Sequence, residues 1–200
     1  MGHNNMNYAT LVASRICHDL ISPVGAISNG LELISLSGMD VSAELALIND
    51  SVENANARIR FFRVAFGHAS AEQTMSKAQV MSILNDISRA SRVTYMWHEE
   101  QSMPRREVRL ALLAILCVEC ALPYGGRIDV TKKEDRWEIS GANDRLNFDS
   151  ELWDSLTSPA PETEHSPAHI QFAMLPEIAS EMLKTITCVA DEKRITLCIA

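Results

Sequence analysis

The residues best placed for chemistry are Arg15, His18, Asp19 and Ser22. A neutral imidazole is a good nucleophile near neutral pH and, once protonated, a good leaving group. A carboxylate beside it can orient the ring or tune its basicity, and a hydroxyl four residues on, sharing its helical face, can add a hydrogen bond. The surrounding pattern gives the ring its direction. Ala13, Cys17, Leu20, Val24, Ile27, Leu31 and Ile34 recur at alternating steps of four and three, the seam of a coiled-coil-like helix. His18 lies one position off that seam and so faces sideways toward water, where a packing histidine would occupy the seam itself. This is the setting of a surface nucleophile.

The element carrying it is a helix from about Asn7 to Ser35, with Pro23 removing one backbone donor just after His18. The turn-forming stretch Ser35 to Asp40, with Gly38 suited to ending a helix, leads to a second helix. Its seam is Leu45, Ile48, Val52, Ala55, Ile59, Phe62 and Phe66, closing near Gly67. Together they form an antiparallel hairpin over residues 1–70. One hairpin cannot bury two such stripes, and two copies forming a four-helix bundle can, so a homodimer is expected. Antiparallel pairing puts His18 opposite Arg60 to Arg63. With Arg15, Arg60 and Arg63 then form either a cationic collar around the imidazole or a solvated face.

Residues 71–200 read as a second domain. Ser76-Lys77-Ala78-Gln79 has the capping-box pattern that opens a helix, expected to run to about Ala90. A strand from Arg92 to Trp97 and an apolar helix from Pro104 to about Leu122 follow, and Gly125-Gly126 ends that helix. A hairpin comes next, Arg127 to Thr131 and Arg136 to Ser140, turning over Lys132 to Asp135. A short helix Asp149 to Leu156, a proline-rich acidic loop Thr157 to Pro167, a helix Ala168 to Leu183 and strands Thr185 to Ala190 and Arg194 to Ile199 complete an α+β sandwich. The net charge of −8 argues against a nucleic-acid binder, and no apolar run is long enough for a membrane span. The polar start lacks the regions of a signal peptide, and five cysteines scattered through apolar segments fit free thiols, so the chain is expected to be cytoplasmic.

A histidine and acid on the first helix of a dimerising hairpin, before an α+β domain of this order, resembles the core of sensor histidine kinases. More closely, His18-Asp19-Leu20-Ile21-Ser22-Pro23-Val24-Gly25-Ala26 with Asn29-Gly30-Leu31-Glu32-Leu33, then Arg60-Phe61-Phe62-Arg63-Val64-Ala65-Phe66-Gly67, resembles the ChpT-type histidine phosphotransferases. The resemblance implies a hairpin that carries phosphohistidine at His18 and passes phosphoryl groups between receiver-domain aspartates. It implies a second domain shaped like a degenerate kinase ATP-binding domain. The donor would be the receiver of a hybrid histidine kinase and the acceptors response-regulator receivers, with magnesium held by the receiver and no cofactor on this chain. Asp19 and Ser22 would assist the ring, and Ile21, Gly25 and Ala26 would form the docking surface, although Ile21 could equally widen the bundle core. The kinase ATP motifs do not match: Cys120 stands where a magnesium-binding asparagine is expected, Ser140 to Arg145 holds one glycine, and Ala168 to Met174 holds none. No autokinase activity is therefore expected.

Other patterns are weaker. Cys117 and Cys120 are spaced as a metal-binding pair but lie in an apolar helix without a second pair, and His165 and His169 flank Pro167 with no further ligands in view. Two readings compete with phosphotransfer: a non-catalytic dimeric adaptor for receivers, and an atypical ATP-dependent histidine kinase.

Overall fold

A computed structural model of the chain describes residues 2–36, 42–70, 72–158 and 166–200. Gly38, expected to end the first helix, and His165 lie outside the described residues, as does most of the acidic loop. Helix α1 runs Gly2–Leu36 and α2 Ser42–Ala65, antiparallel to it. Then come β1 (Thr74–Met75), α3 (Lys77–Arg89), β2 (Val93–Trp97), β3 (Met103–Pro104), α4 (Arg105–Cys120), β4 (Gly126–Lys133), β5 (Arg136–Ala142), α5 (Ser150–Asp154), a single 3-10 turn Pro167–His169, α6 (Ile170–Glu181), β6 (Ile186–Ala190) and β7 (Arg194–Ile199). The mixed helix and sheet architecture with an N-terminal helical hairpin is the one the residue pattern predicts.

Local chemistry explains most boundaries. Ser76 accepts from the Gln79 amide while the Gln79 side chain accepts from the Ser76 amide, so the capping box is closed in both directions. Asp149 caps α5 through the Leu152 amide. Gly125 takes φ +92°, and its would-be Cβ lies 2.4 Å from the Arg92 carbonyl oxygen, so only glycine fits the turn that delivers the chain into β4. Two details depart from expectation. The last helix is preceded by a 3-10 turn that opens on Pro167, where a missing amide costs no helical hydrogen bond. The paired two-residue strands β1 and β3 are too short to show a period.

The five-stranded sheet has the order β2-β4-β5-β7-β6, with β2 parallel to β4 and the other pairs antiparallel. Alternation on β2 points Val93, Tyr95 and Trp97 inward, and β5 does the same with Trp137 and Ile139. Over this face lies α4, whose residues Leu110 to Cys117 are almost entirely shielded from water. A helix apolar all round must be covered all round, and here the sheet, α6 and α2 cover it.

The hairpin is welded to this domain at one end only. Phe61, Phe62, Val64 and Ala65 of α2 belong to the same hydrophobic cluster as the sheet, with Tyr8, Leu11, Val12 and Ile16 of α1 packed against it. Arg105 donates to the Arg63 carbonyl at 2.7 Å and Arg109 to the Ala65 carbonyl at 3.3 Å, satisfying carbonyls at the end of α2 that no helical amide reaches. The Tyr8 hydroxyl donates to Glu177 of α6 at 3.0 Å; burial, then that carboxylate, push it up to about 12. Toward the other end, among the described residues, α1 packs chiefly against α2. Gly30 sits so close to α2 that a Cβ there would lie 2.6 Å from the Ile48 side chain.

Candidate active site

His18 sits on α1 at the level where the welded part of the hairpin gives way to the free part. Its side chain is 82% exposed, and its Nδ1 lies 3.0 Å from Oδ1 of Asp19. Asp19 is turned inward, only 10% exposed, and its other oxygen accepts from Arg15 Nε at 2.8 Å, with Arg58 Nη1 at 3.7 Å. One carboxylate is thus divided between an imidazole on the solvent side and two guanidiniums on the protein side. With the proton on Nδ1, the ring donates to Asp19 and leaves Nε2 as an exposed lone pair. Pro23 acts on the same turn: the amide it lacks is the one that would bond the Asp19 carbonyl.

The predicted residues divide. Arg15, His18 and Asp19 are brought together, and Arg15 also donates through Nη1 to the Ala168 carbonyl, tying the site to the 3-10 turn. Ser22 is exposed one turn on and makes no hydrogen bond to the imidazole. Ile21 is 69% exposed, Gly25 has nothing within 4 Å of a would-be Cβ, and Ala26 is half-buried. Arg60 faces away from Asp19 and pairs with Asp86 of α3 at 2.7 Å, in an open groove of about 550 Å³ shared with Arg89. Arg63 is exposed. The cation that meets Asp19 from α2 is Arg58, not Arg60: two residues turn a helix by about 200°, so the two cannot share a face. Arg58 stands one position before the seam residue Ile59, as Asp19 stands one before Leu20, and that shared offset was the available signal.

Behind Asp19 lies a cavity of about 130 Å³ whose polar lining includes Arg15, Asp19, Asn54, Arg58, Ser91 and Glu119. Asn54 accepts from Arg58 Nε at 3.0 Å, fixing that guanidinium along α2. Glu119 belongs to α4; burial raises its carboxyl, while the hydroxyl of Tyr95 and the charges of Arg15 and Arg58 oppose the rise. Tyr95 donates to Glu119, and its own ionisation is pushed far up, first by burial and then by that carboxylate. Neither residue was among the sequence candidates.

At Cys120 and along Ile170 to Met174, where the sequence departs from the kinase ATP motifs, side chains are packed. Cys120 accepts from Gln171 Nε2 at 3.2 Å, and its thiol is pushed up to about 11, chiefly by burial. Ile170, Gln171 and Phe172 are fully shielded from water. Among the described residues no group of three or more His, Cys, Asp or Glu side chains is arranged to hold a metal ion, and no helix is long and apolar enough to cross a membrane.

Comparison with known proteins decides the family. The histidine phosphotransferase C-terminal domain family matches residues 77–194. The chain belongs to this family. A curated phosphotransferase relative, the protein phosphotransferase ChpT of Brucella abortus (strain 2308), is 34% identical over 163 residues, covering 78% of each chain. The solved structure of a bacterial phosphotransferase superposes with a TM-score of 0.84 at 30% identity, covering 98% of this chain and 96% of that one. The histidine kinase AdeS of Acinetobacter baumannii overlaps more loosely, with a TM-score of 0.42 at 14% identity over 91% of this chain and 95% of that one. Membership of the ChpT-like histidine phosphotransferases implies phosphotransfer within a phosphorelay. The His18 and Asp19 geometry lies outside the matched 77–194 segment, on the hairpin that precedes it.

Proposed function

We propose that the chain relays phosphoryl groups between receiver-domain aspartates through phosphohistidine at His18. The observation that carries this reading is an imidazole 82% exposed on its helix, yet held by Asp19 through Nδ1 so that Nε2 is free. Nε2 attacks the phosphorus of an aspartyl phosphate in line. The N–P bond forms, the P–O bond to the donor aspartate breaks, and that carboxylate leaves with the bonding pair. The proton stays on Nδ1, and the positive charge spread over the ring is met by the Asp19 carboxylate. The acceptor's aspartate then attacks the same phosphorus and the neutral imidazole departs. Magnesium belongs to the receiver's acidic pocket, and no cofactor is needed on this chain.

In this reading residues 1–70 carry the chemistry and the dimer, and residues 71–200 hold the hairpin in place. The donor is the receiver of a hybrid histidine kinase, the acceptors are response-regulator receivers, and neither nucleic acid nor membrane takes part. Ile21, Gly25 and Ala26 beside the ring form the docking surface, with Ser22 at its centre. Arg15 is engaged by Asp19 and Arg60 by Asp86, which leaves the exposed Arg63 as the predicted cation available to the receiver's acidic pocket. Val24, Leu31, Leu45, Val52 and Ile59, between 38% and 56% exposed, line the free part of the hairpin and form the seam of a homodimeric bundle. Leu31→Glu is expected to raise the dimer dissociation constant by about thirtyfold or more, read by light scattering at falling concentration. A variant as dimeric as wild type would remove that seam from the assembly.

Labelling tests the function. The wild-type chain is expected to gain label from a phosphorylated receiver and none from ATP alone. Label from ATP would make it a kinase, and receiver binding without label an adaptor.

A further inference from the structure

Beneath Asp19 the hairpin meets β2 and α4 at two polar side chains that the transfer step does not touch. Tyr95 is 4% exposed on the inner face of β2 and donates its hydroxyl to Oε1 of Glu119 on α4. Glu119 lines the cavity shared with Arg15, Asp19 and Arg58 and lies within electrostatic reach of all three, while Tyr95 lies within reach of Arg58. The other groups facing the pair are the Ser91 hydroxyl, bonded to Tyr95, and the Cys120 thiol on α4, which burial keeps protonated.

We propose that Glu119, seated on Tyr95, is a positioning residue for His18: it draws the Arg15 and Arg58 guanidiniums inward onto Oδ2 of Asp19 and so reserves Oδ1 for the imidazole. The inference rests on His18 as the phosphoryl acceptor. Two guanidiniums facing one carboxylate carry an excess positive charge, and either could swing to Oδ1 and displace the ring. A second carboxylate on the protein side balances the pair and pulls in the direction away from His18. Glu119 interacts more strongly with Arg15 than with Arg58, and Arg58, at 3.7 Å from Asp19 against 2.8 Å for Arg15, is the more loosely held of the two on that carboxylate. The Tyr95 hydroxyl favours the charged form of Glu119, against burial. Both residues are fixed by the core of the second domain, so that domain sets the tautomer of a histidine carried by the hairpin.

The test uses the full chain labelled with 15N-histidine. Long-range 1H–15N spectra read the His18 tautomer in wild type, Glu119→Gln and Tyr95→Phe. Phosphoryl uptake from phosphoramidate, a small donor needing no receiver, is measured alongside thermal melting. Wild type is expected to hold His18 mainly as the Nδ1–H tautomer. In Glu119→Gln the ratio of Nδ1–H to Nε2–H should fall at least about fivefold and uptake about tenfold. Tyr95→Phe should shift the ratio the same way by less. An unchanged ratio in Glu119→Gln overturns the proposal, as does a lower melting point with the ratio intact, which is the pattern of a merely structural residue. Should Glu119→Gln fail to fold, the Tyr95→Phe ratio decides by the same criterion. If the ratio responds while wild type accepts phosphate from neither phosphoramidate nor a charged receiver, the positioning stands and phosphotransfer at His18 falls.

Discussion

Exchange of His18 for glutamine is expected to abolish phosphoryl uptake from a charged receiver, by at least about three orders of magnitude, while the fold and its melting temperature stay as they are. The two halves of this expectation have separate causes. Loss of the nucleophile removes the covalent intermediate itself, and no neighbouring group replaces it. His98 is bonded to Asp129 on the sheet, His68 follows the end of α2, and His169 sits on the 3-10 turn beside the Ala168 carbonyl that receives Arg15, with its Nδ1 at 3.4 Å from Ser166 Oγ. Stability is spared because the ring is 82% exposed and contributes little packing. An acid-labile, alkali-stable phosphoprotein in wild type and its absence in His18→Gln would be the positive result. A variant that still acquires label would move the phosphoryl group to another residue.

The second large effect is expected at Asp19. Asp19→Asn should slow uptake about a hundredfold and leave receiver affinity unchanged, because only 10% of that side chain is exposed for a partner to touch. Asparagine keeps the size but not the charge. Its amide must either turn its NH2 toward Arg15 Nε, where two donors would face each other at 2.8 Å, or toward the His18 Nδ1 proton. In the first case the anchor to α1 is lost, and in the second the ring is driven out of the Nδ1–H tautomer. In both, the positive charge that develops on the imidazole is no longer met by a carboxylate. Two arginines are left without it as well, so the variant should melt below wild type. Rate and affinity measured separately against receiver concentration check this. Equal losses in both would make Asp19 a docking residue instead.

How much of this was legible along the chain depends on distance in sequence. The hairpin shows in the steps of four and three, and the off-seam imidazole follows from one position of offset within the same helix. The capping box at Ser76 and the inward alternation of β5 are equally local. The partners of Asp19 are not. Arg58 meets it only because of the register between α1 and α2, which the sequence leaves uncertain by a turn, and the expected register favoured Arg60 and Arg63. Glu119 and Tyr95 arrive from α4 and β2 through tertiary packing, and no period or motif links them to His18. From Leu110 to Val118 helix α4 reads as uninterrupted apolar sequence, so the acid that follows looks like a solvated residue until Tyr95 is seen against it.

The one-ended attachment of the hairpin makes it a cantilever. Phe61, Phe62 and Ala65 clamp its root, and beyond Pro23 α1 is braced within the chain by α2, through the close contact at Gly30. The eighteen residues of α1 past His18 reach about 27 Å at 1.5 Å per residue. Displacement of such an arm grows with distance from the clamp, so bending that carries the tip through several ångströms leaves the imidazole nearly still. The reacting nitrogen therefore sits close to the clamp, and in the proposed bundle it is the second copy that steadies the outer arm.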